Sequence, residues 1–486
     1  MLTRTSLASL TLLAVSANAT RSCPGPGTHR RSPDNDNSGY LEVLVQMFGW
    51  NWKSIAAECE SFLGPAGVGF VQVNPPQEHL NGDQWWVDYQ AVSYQLQSKR
   101  GSRSDFAEMV GRCKNVGVKV SVVKDMIWNH MAGVENGVGN AGTQFSHYNY
   151  PGLYSWNDFH HCGKTANDDI QNWGDRDQIW NCELVNLADL NTGSSYVQDK
   201  LVIFTNDLLS LGVDGLRLDA AKHMDPNDIC VIMGKLSRWP LYVSQEIVDT
   251  QGSLVGMYTD IGDVQEFRYP ETLKAAFTSD GIAGLRGIEN RGWLPSNSAN
   301  VFVTNHDQER GGSALTYKSG PIPMAPQLFF PATNSMIAMR ELLMVRMVAA
   351  MTPGVLTAGT FPAVAFAKSF NKIHVRLCQH RWSAIAGMIG FYNQVGTTDL
   401  NNWVQESNQQ IAFGRGSTGF VVINNEDREW TRTFRTSLPS GSYCDVVSGR
   451  KNAGNCTGGK VTISNGSFTM TVPARAALAY HTGAKN

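Results

Sequence analysis

Long apolar runs are scarce in this chain. Past its first twenty residues the best candidate, residues 342–351, is interrupted by Arg346 and falls well short of the roughly 20 apolar residues a bilayer requires. An excess of charge of one sign is missing too. The 40 basic residues stand against 42 acidic ones, a net charge of −2, so nucleic acid finds no basic face and a neutral polymer fits better. No glycine-rich phosphate turn follows the first strand-like run, which argues against an open, doubly wound nucleotide-binding sheet. There is no His-x-x-x-His pair, paired-cysteine knuckle or EF-hand spacing, so spacing alone assigns neither zinc nor a calcium loop. Internal repeats and low-complexity tracts are also absent.

What is present is a globular composition: 486 residues, 42% hydrophobic and 17% charged, enough for a large catalytic domain with one or two smaller ones. Residues 1–19 read as an export signal, with Arg4, an apolar stretch over 7–15 and small residues at Ala17-Asn18-Ala19. Residues 20–39, rich in Pro, Gly, Ser, Asn and Asp, read as a flexible leader. A secreted, extracellular protein is expected, without a membrane segment and acting as a monomer. Nine cysteines in an exported chain make disulfides the default, and the odd count leaves at least one over. Asn455 and Asn465 head glycosylation sequons.

Strand-like runs at 41–48, 68–74, 118–125, 213–218, 241–245, 263–267, 300–304 and 354–358 alternate with helix-compatible stretches such as 104–116, 196–211 and 335–351. That alternation predicts an α/β fold, a closed (β/α)8 TIM barrel over residues 40–396. Residues 129–193 are too long for a simple connection and predict an inserted subdomain after the third strand. After residue 397 short alternating runs at 410–413, 419–424, 460–463 and 467–472 predict a C-terminal antiparallel β-sandwich ending at 486.

Three acids follow strand-like runs: Asp219, Glu246 and Asp307. Glycosidic hydrolysis needs one carboxyl to protonate the leaving oxygen and another to attack or activate water. Arg217 and Asp219 project to one side of a strand, so Arg217 is expected to hold Asp219 as an anion. Glu246, buried among like charges, is expected to keep a proton. Trp85, Trp86 and Tyr89 offer flat apolar faces on which a sugar ring can stack. Asn129 and Asp189 carry oxygen ligands of the kind calcium accepts.

The blocks Asp125-Met126-Ile127-Trp128-Asn129-His130, Gly215-Leu216-Arg217-Leu218-Asp219-Ala220-Ala221-Lys222-His223, Gln245-Glu246-Ile247-Val248 and Phe302-Val303-Thr304-Asn305-His306-Asp307 resemble those of the alpha-amylase family of glycoside hydrolases, in its animal-type branch. Val71-Gln72-Val73-Asn74-Pro75-Pro76, Trp85-Trp86-Val87-Asp88-Tyr89-Gln90 and Ile411-Ala412-Phe413-Gly414-Arg415-Gly416 extend the resemblance from about residue 41 to the end. It implies endo-hydrolysis of α-1,4-glucosidic bonds in starch or glycogen with retention. Asp219 would be the nucleophile, Glu246 the acid/base and Asp307 the stabiliser. It also implies sugar contacts from His130, His306, Lys222 and His223. The implied calcium ion would sit on the side chains of Asn129 and Asp189 and the backbone oxygens of Trp180 and His223. Cys59–Cys113, Cys162–Cys182 and Cys444–Cys456 resemble family disulfides; Cys23, Cys230 and Cys378 are left over. Arg217 and Asn305 match a family chloride site, but Pro353-Gly354-Val355-Leu356-Thr357 lacks its second arginine, so chloride-independent activity is expected. A transglycosylase of the same fold would share the three acids. A non-catalytic binding subunit would be expected to have lost one or more of them.

Overall fold

The computed structural model describes residue 23 and residues 43–119, 125–249, 254–295, 298–316, 319, 343–345 and 378–486. Eight parallel strands form one sheet: β1 (Leu44–Gln46), β2 (Phe70–Gln72), β3 (Asp125–Met126), β4 (Gly215–Leu218), β5 (Tyr242–Gln245), β6 (Asp263–Gln265), β7 (Ala299–Phe302) and β8 (Leu343–Val345). Apart from β2 and β3, which stand at the two ends of the ladder, each strand pairs with the next, and β8 pairs with both β7 and β1. The ring closes where Phe70 bridges Lys119, just before β3, with Val71 N donating to Lys119 O at 3.2 Å. Strands buried on both faces cannot alternate polar and apolar residues, which is why they read as short continuous apolar runs. Leu44, Phe70, Tyr242, Phe267 and Phe302 make a small cluster of their own, with residues from four strands, as the layered interior of a closed barrel requires.

Six of the expected strands appear within three residues of their sequence bounds, β3 begins only at Asp125, the last residue of the run at 118–125, and one reading needs correction. Residues 335–351 read as helix, yet Leu343–Val345 within them is β8. An apolar run without Gly or Pro fits either conformation, and pairing to β7 and β1 decides it. The expected run at 354–358 lies outside the described residues.

Helix Arg103–Asn115 shows how the outer ring is specified. Ser102 and Asp105 form a reciprocal capping box, Phe106, Met109, Val110 and Cys113 make the buried face, and Arg112 and Lys114 sit in the last turn, where cations oppose the helix dipole. Its core face is pinned by Cys59–Cys113. Cys162–Cys182 and Cys444–Cys456 are also formed, and Cys23 joins Cys230 on helix Pro226–Gly234.

The inserted subdomain is fastened at both ends. His130 and Asp189 bridge antiparallel, and buried Glu78 accepts from Ala141 N (3.0 Å), Thr143 N (3.1 Å), the Ser93 hydroxyl (2.6 Å) and the Thr143 hydroxyl (2.7 Å). The C-terminal domain is antiparallel, a four-stranded sheet of Leu400–Ser407, Gln410–Arg415, Gly419–Asn424 and Ala476–His481. The pair Trp430–Arg435 and Ser467–Val472 covers it, over a core that includes Phe420, Trp430, Phe434, Phe468 and Tyr480.

One ion-pair cluster ties the first barrel helix to the chain before the C-terminal domain. Glu58 accepts from His380 Nε2 at 2.6 Å and from Arg381 Nε and Nη2 at 2.6 and 2.8 Å. Burial pushes the Glu58 carboxyl up, but His380 and Arg381 outweigh it and hold it at about 2, below the ordinary 4.5. A folded-state value below the unfolded one means that this contribution is complete above pH 4.5 and disappears as pH falls toward 2. In urea titrations the native protein should outlast Glu58→Gln at pH 6, and the gap should close across that window. A gap that does not change with pH would remove the charged pairing from the explanation.

Candidate active site

The acids meet because the strand ladder runs on past the strand ends. Asp219 N, just past β4, donates to Met126 O at the end of β3 (3.2 Å), and Glu246 N, just past β5, donates to Leu218 O at the end of β4 (3.0 Å). These bonds set Asp219 and Glu246 side by side at the C-terminal face, where the loops of such barrels carry chemistry. Arg217, fully buried, lies between them: Nη1 is 2.9 Å from Asp219 Oδ1 and Nη2 is 2.5 Å from Glu246 Oε1. Ala220 N donates to Glu246 Oε2 at 3.1 Å. Ala220 has φ +48°, a left-handed conformation that a non-glycine residue holds only where its surroundings impose it.

Asp307 arrives differently. It stands in the first turn of helix His306–Gly311, whose N-cap Asn305 accepts from Asp307 N and Gln308 N. Its side chain is 47% exposed against 11% and 12% for the other two acids, and Oδ2 is 3.3 Å from His306 Nε2.

The charge arrangement corrects one expectation. Arg217 does touch Asp219, but it serves two carboxylates at once. Burial pushes the Asp219 carboxyl up and the Glu246 charge pushes it further, so the opposing guanidinium does not hold it down. The two acids titrate as a pair that keeps a proton to higher pH than free carboxyls. Burial brings His130 down to about 4 and, with Lys222, His223 down to about 4; both rings are neutral at pH 7.

Around the acids stands an aromatic wall. His306 is stacked with Phe48 (4.7 Å, 17°) and with Tyr89 (5.2 Å, 8°), and Trp85 meets it edge-on at 5.8 Å. Trp86 projects outward, 48% exposed. His130 Nε2 lies 3.1 Å from Tyr89 O. Lys222 Nζ donates to Val248 O (2.9 Å) and sits over the exposed ring of Trp173 at 5.7 Å, while Trp173 meets His223 edge-on at 5.9 Å.

Sequence reasoning missed Phe48, Trp173 and Arg310. The Arg310 guanidinium lies 4.4 Å from the Trp85 ring centre and 4.9 Å from that of Phe48, and it donates to His306 O. Its signal was its place one helical turn after His306, but that short helix has no apolar periodicity to reveal it.

A second cluster borders the inserted subdomain. Asp189 Oδ2 is 2.7 Å from His160 Nδ1, another residue not foreseen, while Asp189 Oδ1 is buried with no hydrogen-bond partner among the described residues. Asn129 lies beside Asp189 and works against the upward push of burial on its carboxyl. Helix Arg176–Asn181 carries Trp180 close to His223, whose Nδ1 is 3.2 Å from Ile179 O. Among the described residues no three His, Cys, Asp or Glu side chains are grouped to hold a metal. An ion here would therefore be held largely by amide and carbonyl oxygen, which calcium accepts. At the expected chloride site, Asn305 Nδ2 is buried without a hydrogen-bond partner among the described residues, and 353–357 lie outside them.

Comparison with known proteins places these features. Residues 71–272 match the family "Alpha amylase, catalytic domain", and residues 401–483 match "Alpha amylase, C-terminal all-beta domain". The alpha-amylase of Thermomonospora curvata is 40% identical over 91% of this chain and 74% of its own. That of the insect Tenebrio molitor is 37% identical over 91% and 97%, so animal-type relatives stand beside actinomycete ones. Alpha-amylase I of Eisenia fetida, solved as a point variant with maltohexaose, superposes with TM-score 0.80 at 32% identity, covering 91% of this chain and 97% of that one. With its barrel, its all-β C-terminal domain and its paired buried acids, this chain belongs to the alpha-amylase family of glycoside hydrolases.

Proposed function

We propose that the protein is a secreted endo-acting alpha-amylase that cleaves α-1,4-glucosidic bonds of starch, glycogen and related glucans with retention of configuration. The observation that carries this reading is the contact of Asp219 and Glu246 with one guanidinium, at 2.9 and 2.5 Å. Two carboxyls held on one guanidinium fit the shorter separation of a retaining enzyme, which works through a covalent intermediate. Glu246 gives its proton to the glycosidic oxygen as Asp219 attacks the anomeric carbon. Glu246 then takes a proton from the water that releases the glycosyl-enzyme. Asp307, the most exposed of the three, stabilises the positive charge that develops on the ring. Trp85, Trp86, Tyr89, His130, His306, Lys222 and His223 line the path of the chain.

Removal of residues 1–19 and export fit the disulfides, and no helix among the described residues is long and apolar enough to cross a membrane. Barrel residues 40–396, with the insertion at 129–193, carry the chemistry, and residues 397–486 form the second domain. Asn129 and Asp189, with the backbone oxygens of Trp180 and His223, would hold calcium, and Asp189 Oδ1, buried without a hydrogen-bond partner among the described residues, suits that role. When bound, the ion would fasten the insertion to the barrel. Chloride is not required in this reading, because Arg217 is already occupied by both acids.

The test incubates the secreted protein with soluble starch in chloride-free buffer and follows the anomer of new reducing ends. The α-anomer should appear first, a calcium chelator should lower the melting temperature, and added chloride should change the rate less than twofold. Initial β-anomer would exclude retention. Longer glucans in place of shorter ones would indicate a transglycosylase.

A further inference from the structure

Asp88 stands within the short helical turn Trp85–Tyr89 that carries three rings of the aromatic wall, yet its own side chain is fully buried. A carboxylate out of water stays ionised only where it is paired and hydrogen-bonded. Oδ2 accepts from Asn74 Nδ2 at 2.8 Å and from Arg100 Nε at 2.9 Å, with Arg100 Nη2 also at 2.9 Å. Oδ1 is 2.8 Å from Lys99 Nζ. His79 Nε2 lies 3.9 Å away but adds no charge, because that nitrogen accepts from Lys99 N at 3.2 Å. These are the partners of Asp88 among the described residues, and Asp219, Glu246 and Asp307 are not among them.

The same groups fasten the other aromatic segment. Gly49, next to Phe48, has φ +77°, a left-handed conformation that favours glycine. Its N donates to Asn74 Oδ1 at 2.6 Å, and its O accepts from Arg100 Nη1 at 2.8 Å. Lys99 Nζ donates to Gln84 O, just before Trp85, at 2.6 Å. Each cation thus holds Asp88 together with a backbone carbonyl beside a ring of the wall: Arg100 beside Phe48, Lys99 beside Trp85. The rings so anchored meet, Phe48 with Trp85 at 5.9 Å and 62° and Phe48 with Tyr89 at 6.5 Å and 20°.

We propose that Asp88 is a positioning residue for substrate: its carboxylate, held by Asn74, Lys99 and Arg100, fixes Phe48 against Trp85 and Tyr89 and so pre-sets the wall on which an incoming glucan stacks. The proposal rests on the amylase reading. A wall set before the sugar arrives avoids the cost of ordering side chains on binding. Stacking that grips the glucan alike before and during the reaction contributes to binding and not to the chemical step, so its loss raises KM and leaves kcat. Neutralising Asp88 strands two cations, and their ties at Gly49 and Gln84 loosen with them.

The test measures kcat and KM on maltohexaose for the full-length protein, well below the melting temperature of every variant, with Asp88→Asn, Arg100→Met and the two combined. Asp88→Asn keeps the shape and loses the charge. Its KM should rise about tenfold, the worth of roughly one aromatic contact, while kcat stays within about twofold and its pH profile does not move. Arg100→Met should raise KM similarly, and the double variant should be no worse than the worse single one, since both cut one network. Where Asp88→Asn does not fold, Arg100→Lys keeps the positive charge without the fork and should still raise KM at least about threefold. A folded Asp88→Asn with native KM would overturn the proposal. So would a fall in kcat as large as the rise in KM, single effects that multiply in the double variant, or, where Asp88→Asn does not fold, a native KM in Arg100→Lys. If the native protein releases no sugar from soluble starch, the amylase reading fails and this role with it. If it does, and KM ignores Asp88, only the positioning role fails.

Discussion

Glu246→Gln is expected to leave a folded protein that releases reducing ends from soluble starch at less than about one-thousandth of the native rate, since positioned acid/base groups contribute 10²–10⁴-fold. The amide keeps the size of the carboxyl and can still accept from Ala220 N, the bond now made at 3.1 Å, but it has no proton to give the leaving oxygen. Folding should not suffer. In the native site two buried carboxylates share one guanidinium, and the substitution leaves Asp219 with Arg217 to itself. The melting temperature should therefore hold or rise while turnover disappears. A variant retaining a tenth of native activity would move the proton donor away from Glu246.

Arg217→Met should show the opposite pattern, with stability lost together with activity. Arg217 is fully buried and touches both acids. Removing one partner of a buried ion pair costs about 3–5 kcal/mol, because the remaining charge is stranded rather than merely unpaired. The pH dependence follows from the direction already present in the native site, where burial and Glu246 push the Asp219 carboxyl up. Without the guanidinium the pair should hold its proton to still higher pH. A carboxyl whose folded-state value exceeds its unfolded one favours the folded state where it is protonated, and the benefit is lost as pH rises through the folded value. The stability deficit of Arg217→Met should thus be smaller at pH 5 than at pH 8. Adding Glu246→Gln should recover part of it, since one stranded charge is gone, and urea titrations of the four proteins at both pH values measure the coupling. A deficit equal at both pH values, with no recovery in the double variant, would show that Arg217 acts through packing alone.

The fold was largely legible because buried parallel strands leave a local mark. Runs such as 213–218 and 241–245 are apolar on both faces, and punctuation around them fixed their ends to within a few residues of β4 and β5. Leu343–Val345 escaped because its run carries no such punctuation; only its neighbours β1 and β7 make it a strand. The cysteines divided in the same way. Cys59–Cys113 followed from resemblance, whereas Cys23–Cys230, separated by 207 residues, had no local signal.

The site divides along the same line. Which residues carry carboxyls, and that Asp219 and Glu246 end strands, was determined by the sequence alone, since strand periodicity and the placing of an acid after an apolar run are local properties. How those acids behave was decided by tertiary structure. Arg217 seemed to belong to Asp219 by its spacing in β4, but the next strand delivers Glu246 to the same guanidinium. Arg310 reaches Trp85 and Phe48 across the barrel mouth, and His160 reaches Asp189 across the insertion. Charge state, stacking and pairing depend on distances between segments far apart in the chain, and those distances exist only once the barrel has closed.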